Sequence, residues 1–186
     1  MCQFVKKQNG KSFTENFIWK VFIQITLGLY NMHSKDIIHR DIKSLNIFLT
    51  KDNSARVGDL GASRRLDPET QKILDEVSPD EKVGTPFYLA PEIWQNKPCT
   101  KQTDVWAIGC ILYEMCARQV PFLAEDIDVL EERVLRDKLP PLPHSVHKGL
   151  ALIATKCLTK KAEARPKIEE IIQMDVFQDK AKLLKI

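Results

Sequence analysis

The stretch of sequence that most constrains the fold runs from Asp104 to about Met115. Large apolar side chains fall on almost every side of a helix built from this stretch, at Val105, Trp106, Ile108, Ile111, Leu112 and Met115. A helix that is apolar on most sides is stable only where other elements surround it. We therefore predict a central, buried helix in a mainly helical (α+β) unit.

Other helical patterns supply the elements that surround it. Apolar residues recur every three or four positions from Phe17 to Met32, which predicts a long helix through about Ser34. Thr14, followed by Glu15, has the chemistry of an N-cap for this helix. Shorter helical patterns occupy residues 3–9, 127–135, 150–158 and 168–174.

Short strands and one long loop complete the pattern. Runs of β-branched or aromatic residues predict strands at 37–38, 47–49 and 55–57. Periodicity is lost from residue 59 to about 85, which is typical of a long functional loop. The sequence therefore predicts a helical bundle with short β-hairpins at one edge.

Composition excludes several classes of function. The formal net charge of +3 on 186 residues, with no dense run of Lys and Arg, argues against nucleic-acid binding. The five cysteines form no CxxC pair, which favours free thiols in a reducing compartment. No signal peptide or membrane-spanning run is present. We expect a soluble cytoplasmic protein that needs no membrane and no nucleic acid, and its oligomeric state stays open.

Residues 38–49, IHRDIKSLNIFL, carry the chemistry. Asp41, Lys43 and Asn46 stand between two apolar flanks, a spacing that suits a loop with three polar side chains at its tip. An Asp can take a proton from an attacking hydroxyl, a Lys can neutralise a phosphoryl oxygen, and an Asn can bind a divalent metal beside a carboxylate. Asp59, on the turn Gly58-Asp59-Leu60-Gly61, supplies such a carboxylate.

These segments, with GTPFYLAPE at 84–92, DVWAIGC from Asp104 and the Arg165-Pro166 pair, resemble protein kinases in order and spacing. The amino-acid sequences of these segments are most similar to those of the NIMA-related kinases, a Ser/Thr family. The resemblance implies a kinase large lobe over residues 1–186, that is, part of a kinase domain. It also implies ATP and Mg²⁺ as cofactors and a protein Ser or Thr as acceptor.

The resemblance also implies roles for individual residues. Asp41 is the catalytic base, Lys43 contacts the transferring phosphoryl group, and Asn46 and Asp59 bind magnesium. Phe48 forms the floor under the adenine, and the Thr85 hydroxyl bonds Asp41 and Lys43, which favours Ser/Thr specificity.

Architectural roles follow from the same resemblance. Glu92 pairs with Arg165, and Asp104 accepts backbone N–H bonds from the catalytic loop while capping its own helix. Leu60, in place of the usual Phe, is expected to be an apolar anchor beneath the loop. His39 is predicted to pack beneath Leu60 as a structural residue. The other histidines, His33, His144 and His147, are predicted to lie at the surface.

Activity is a separate question from descent. Only 38 residues precede His39, too few for a small lobe of five strands and a helix, and they contain no Gly-rich phosphate loop. We expect the 186-residue chain alone to bind ATP weakly and to phosphorylate poorly. Three readings stay open: a Ser/Thr protein kinase, a kinase-like binding module without catalysis, and a nucleotide sensor.

A regulatory hypothesis concerns the long loop. Glu81 is placed to pair with Arg40 as a fixed substitute for a phosphorylated residue, and an exposed loop charge is the alternative. Ser78 and Thr85 are candidate phosphorylation sites.

Overall fold

The computed structural model describes residues 13–74 and 84–186. In these residues the chain forms seven α-helices: α1 (Glu15–His33), α2 (Pro91–Trp94), α3 (Lys101–Ala117), α4 (Ile127–Arg136), α5 (Lys148–Cys157), α6 (Ile168–Ile172) and α7 (Asp175–Leu184). The strands are β1 (Ile37–Ile38), β2 (Ile47–Leu49), β3 (Ala55–Val57) and β4 (Arg64–Arg65). The predicted mainly helical fold is confirmed; the helix predicted at 3–9 lies outside the described residues.

Helix α3 is the centre of the molecule, as its apolar sequence predicts. Every residue from Thr103 to Met115 is buried. The helix begins at Lys101 rather than at Asp104, so the prediction that Asp104 caps it is wrong. Thr100 is the N-cap, and its backbone N–H donates to the Thr103 hydroxyl at 3.1 Å. Asp104 lies inside the first turn, which leaves its carboxylate free to bond elsewhere.

Helix α1 packs into the same core. Thr14 is its N-cap as predicted, with the hydroxyl accepting a hydrogen bond from the Phe17 N–H at 3.3 Å. Apolar residues of α1, α3, α5, α6 and α7 form one cluster, and α2, α3 and α4 share a second, more aromatic cluster. The central helix joins the two clusters. No helix in the described ranges is long and apolar enough to cross a membrane.

Two small antiparallel sheets lie at the edge of this helical body. Strands β2 and β3 form a hairpin in which Ile47 pairs with Val57 and Leu49 with Ala55. Strand β1 pairs with β4, a strand that the sequence did not predict because Arg64-Arg65 has no β-branched or aromatic residue. Strand β4 is extended because it pairs with β1, where Arg64 lies opposite the buried Ile38. A 2.7 Å hydrogen bond from the Leu66 N–H to the Asp36 carbonyl continues this pairing beyond the strands.

Candidate active site

A buried carboxylate holds the loop between β1 and β2 from below. Asp104 accepts hydrogen bonds from the backbone N–H groups of His39 and Arg40, at 2.8 and 3.0 Å. Its Oδ2 also lies 2.9 Å from Nε2 of His33. Arg40 has a φ of +69°, a left-handed conformation that costs free energy outside glycine. The bonds to Asp104 hold the loop in this strained shape, which confirms its predicted backbone role.

Three histidine predictions, and the one for Leu60, need correction. His33 is buried against Asp104, so the prediction of a surface position is wrong; the carboxylate gives the ring a partner inside the core. His39 is buried, as expected of a structural residue, but its Nε2 contacts the Gly58 carbonyl at 3.1 Å. Leu60 is 58% exposed and anchors nothing beneath the loop, because no described element covers that side of the hairpin. His147 is half-buried and caps α5, whereas His144 is exposed as predicted.

Asp41 lies at the tip of this loop with one oxygen fixed and one free. Its Oδ2 accepts from Lys43 Nζ at 2.6 Å and from Asn46 Nδ2 at 3.1 Å. Asn46 Nδ2 also donates to the backbone carbonyl of Asp41 at 2.9 Å, so the Asn46 amide holds both the backbone and the carboxylate of Asp41. Oδ1 is buried and has no hydrogen-bond partner in the described part of the chain. Asp41 therefore has an oriented carboxylate with an oxygen available to accept a proton.

The hairpin brings Asp59 beside Asn46. The Gly58 N–H donates to the Asn46 carbonyl at 2.9 Å, and Asp59 follows directly, exposed and with a φ of +63°. Asn46 uses its amide nitrogen on Asp41, and no hydrogen bond to its side-chain oxygen is found within residues 13–74 and 84–186, so this oxygen can accept another ligand. An amide oxygen and a carboxylate are the hard donors that Mg²⁺ prefers, so this pair fits the predicted ion.

Phe48 lies on the outer face of the hairpin. Its neighbour Ile47 points into the core, and the alternation of the strand leaves Phe48 56% exposed. A Cβ added at Gly58 would lie 2.7 Å from the Phe48 ring, so only glycine lets the ring lie flat on the turn before Asp59. The arrangement presents an aromatic surface next to the candidate metal ligands.

Thr85 lies near Asp41, without the predicted bonds. Both residues line a cavity of about 20 Å³, roughly the size of one water molecule. No hydrogen bond from the Thr85 hydroxyl to Asp41 or Lys43 is found in the described residues, where Asp41 Oδ2 is already occupied by Lys43 and Asn46. Cys99 lines the same cavity, and burial followed by the charge of Asp104 raises the pKa of its thiol to about 11. This thiol therefore stays protonated.

A buried ion pair supports the site from further below. Arg165 donates to Glu92 through two nitrogens, at 2.7 and 2.6 Å, and the side chains are 0% and 8% exposed. The Thr103 hydroxyl donates a third bond to Glu92 at 3.1 Å. The pair predicted across 73 residues of sequence is confirmed. It joins α2 to the segment before α6.

Comparison with known proteins identifies the domain. A family model described as protein kinase domain matches residues 2–177. This chain belongs to the protein kinase domain family. The helical body is therefore part of a kinase fold, and the matched residues include the loop that holds Asp41.

Curated relatives agree with the predicted subfamily. Mouse "Serine/threonine-protein kinase Nek4" is 37% identical over 169 residues, 91% of this chain and 21% of that protein. Mouse "Serine/threonine-protein kinase Nek3" is 37% identical, covering 89% of this chain and 31% of that protein. Human "Serine/threonine-protein kinase Nek5" is 35% identical, covering 94% and 24%. The kinase-domain chain thus spans less than a third of these relatives, and its resemblance to NIMA-related (Nek) kinases is confirmed.

One functional contact in the kinase domain was missed by sequence reasoning. The Tyr88 hydroxyl donates to Glu114 at 2.8 Å and lies 2.8 Å from the Ser44 hydroxyl. These bonds join the loop that holds Asp41, the segment after Thr85 and the central helix. The signal was available in the sequence: Glu114 is an acid inside an otherwise apolar helix, and a buried carboxylate needs a partner. Glu81 and Ser78 lie outside the described residues, so the pairing of Glu81 with Arg40 stays a prediction.

Proposed function

We propose that this chain is part of a Ser/Thr protein kinase that transfers the γ-phosphoryl group of ATP to Ser or Thr hydroxyls of proteins. The observation that supports the proposal most directly is the state of Asp41. Lys43 and Asn46 orient its carboxylate, the backbone beneath it bonds Asp104, and Oδ1 is free to accept a proton. The Ser/Thr class rests on Lys43 and Thr85 and on the printed names of the relatives.

Each side chain of the site has a role in this proposal. Bound ATP and Mg²⁺ would supply the transferable phosphoryl group and part of the neutralising charge. Asp41 orients the acceptor hydroxyl and takes its proton, while Lys43 offsets negative charge on the phosphoryl oxygens. Asn46 and Asp59 hold the metal by oxygen atoms, and Phe48 lies under the adenine.

The location of the protein is part of the proposal. The cysteines in the described residues, Cys99, Cys110, Cys116 and Cys157, are free thiols. Unpaired cysteines are usual in reducing compartments. We therefore propose that residues 1–186 form part of a kinase domain that acts on protein substrates in the cytoplasm.

A phosphoryl-transfer assay tests the proposal. The chain is incubated with labelled ATP, Mg²⁺ and a mixture of unstructured protein substrates, and the labelled amino acid is identified. We expect slow labelling of Ser and Thr that falls by at least about 100-fold in Asp41→Asn, the share usually carried by a positioned base. Asp128→Asn, an exposed carboxylate on α4, is the matched control and keeps full activity. Labelling that is equal in Asp41→Asn would overturn the proposal.

A second candidate is a kinase-like binding module that does not catalyse transfer. The observation that favours it is the exposure of Phe48 and Leu60, because the described residues supply only one wall of a nucleotide site. Isothermal titration of the chain with Mg-ATP distinguishes the two. Weak or undetectable binding together with labelling no higher than that of Asp41→Asn supports the module, whereas a micromolar dissociation constant argues against it.

A further inference from the structure

The segment between α4 and α5 has the sequence KLPPLP, residues 138–143. Proline fixes φ near −65°, and a residue that precedes proline is restricted to extended or polyproline II backbone. Leu139, Pro140 and Leu142 each precede a proline, so every residue from 139 to 143 is subject to one of these restrictions. Asp137, directly before it, has φ −68° and ψ 147°, values typical of polyproline II.

The hydrogen bonding of the segment fits this conformation. A polyproline II helix has no internal hydrogen bonds. In the described chain no backbone–backbone hydrogen bond begins or ends on residues 138–142. Both flanks are held instead: the Asp137 N–H donates to the Arg133 carbonyl at 3.0 Å, and the Val146 N–H donates to the Pro143 carbonyl at 2.9 Å. The segment thus runs from the last hydrogen bond of α4 to a hydrogen-bonded turn at residues 143–146, which fix its two ends.

Burial along the segment repeats every three residues, which is the period of polyproline II. Leu139 and Leu142 are half-buried and pack against the apolar clusters of the body. Pro140 and Pro143 form a second row, and both are exposed. Pro141 stands on a third row and is also exposed. We call residues 138–143 the ridge. Its two leucines fix it to the protein, while the P-x-x-P pair at 140 and 143 faces outward.

The surroundings of the ridge are open and positively charged. A groove of about 340 Å³ separates it from α5, whose Ala151 and Thr155 form the opposite wall. Lys148 lines the groove with an exposed side chain. Lys138 and its acidic neighbour Asp137 are exposed at the start of the segment, next to the groove. A partner surface with aromatic rings and an acidic rim would match both the prolines and the lysines.

We propose that residues 138–143 are a docking site for a partner protein whose small β-domain has an aromatic-lined, acid-rimmed groove, of the SH3 or WW kind. Such grooves bind P-x-x-P segments in polyproline II conformation. The ridge is already ordered by its leucine contacts and anchored ends, so binding loses little conformational entropy. The proposal concerns recruitment by this surface and does not depend on phosphoryl transfer by the chain.

A panel of purified SH3 and WW domains tests the proposal. The labelled chain is screened against the panel, and each domain that binds is titrated with the chain while its groove tryptophan fluorescence is followed. We expect a subset of domains with acidic rims to bind. Replacement of both outward prolines, Pro140→Ala with Pro143→Ala, is expected to weaken binding by at least about tenfold. Pro68→Ala, at an exposed proline in another loop, is the matched control and should bind as the original chain does.

A charge variant keeps the test decisive if the proline variant folds poorly. Lys138 is exposed, so Lys138→Glu leaves the packing unchanged and is expected to weaken binding to the same domains, more strongly at low salt. Circular dichroism of each variant checks the fold. The proposal is overturned if no domain of the panel binds the chain, or if bound domains do not distinguish the folded variants from the original.

Discussion

The loop that holds Asp41 has two sides that are built in opposite ways. The underside is the side held by Asp104 and the Glu92–Arg165 pair, and the upper side is the side that carries Phe48 and Leu60. Below the loop, two buried carboxylates have polar partners: Asp104 accepts from two backbone N–H groups and contacts His33, and Glu92 accepts from Arg165. Above it, Phe48 and Leu60 are more than half exposed. The underside therefore fixes the geometry of Asp41 independently of the upper side. The arrangement around Asp41 is thus preformed, while the side that carries Phe48 and Leu60 is open in the described residues.

The largest effect is expected where a buried charge would lose its partner. Arg165→Met leaves Glu92 as an uncompensated carboxylate between α2 and α3, which should lower the free energy of unfolding by about 3–5 kcal/mol. Urea denaturation measures this loss. The matched control is Arg136→Met, which removes an exposed pair with Glu132 and should cost less than about 0.5 kcal/mol. Equal losses of unfolding free energy in the two variants would show that the buried Glu92–Arg165 pair contributes no more to stability than an exposed pair.

The second effect concerns the bonds to the loop itself. Asp104→Asn keeps the shape of the side chain but replaces one of the two acceptor oxygens by an NH₂ donor, which then faces the N–H group of either His39 or Arg40. We expect a loss of about 1–3 kcal/mol in the free energy of unfolding, since a buried donor is left unpaired. Asp128→Asn on exposed α4 should change stability by less than about 0.5 kcal/mol.

Fold and site differ in how far the sequence predicts them. The 3.6-residue pattern predicts α1 and the buried α3, because burial of apolar surface drives their packing. Motif spacing predicts Asp41, Asn46, Asp59 and the Glu92–Arg165 pair. What it misses depends on tertiary contact: His33 has no local signal of its partner 71 residues away, and β4 forms by pairing rather than by propensity.

The pH dependence of the unfolding free energy tests the burial of Lys160, whose backbone carbonyl accepts a hydrogen bond from Arg165. Its Nζ lies 3.8 Å from the centre of the Phe122 ring and contacts the Val134 carbonyl, contacts that favour the charged form. Burial outweighs them and lowers the pKa of Lys160 from 10.5 to about 8. The neighbouring groups that act on it are Asp137 and Cys110, which raise the pKa, and Arg165, which lowers it.

The sign follows from proton binding. Between pH about 8 and 10.5 the unfolded chain holds more protons at Lys160 than the folded chain, so stability rises with pH through this window. The difference in unfolding free energy between the original chain and Lys160→Met should therefore shift in favour of the original chain as pH increases. Burial raises the pKa of Cys110, the thiol that acts on Lys160, far enough to keep it protonated through this window. The buried thiols are present in both proteins, so their own contribution cancels. A difference that stays constant with pH would contradict the burial of this charge.

The smallest effect is expected on the upper side. Leu60 is 58% exposed, so Leu60→Ala removes little buried surface and should change the free energy of unfolding by less than about 0.5 kcal/mol. Leu150→Ala, at a fully packed position on α5, is the matched substitution and should cost about 2–5 kcal/mol. Urea denaturation of both variants measures the contrast between an open and a closed face. If Leu60→Ala costs as much as Leu150→Ala, Leu60 is covered in solution, and the upper side contributes to stability as the underside does.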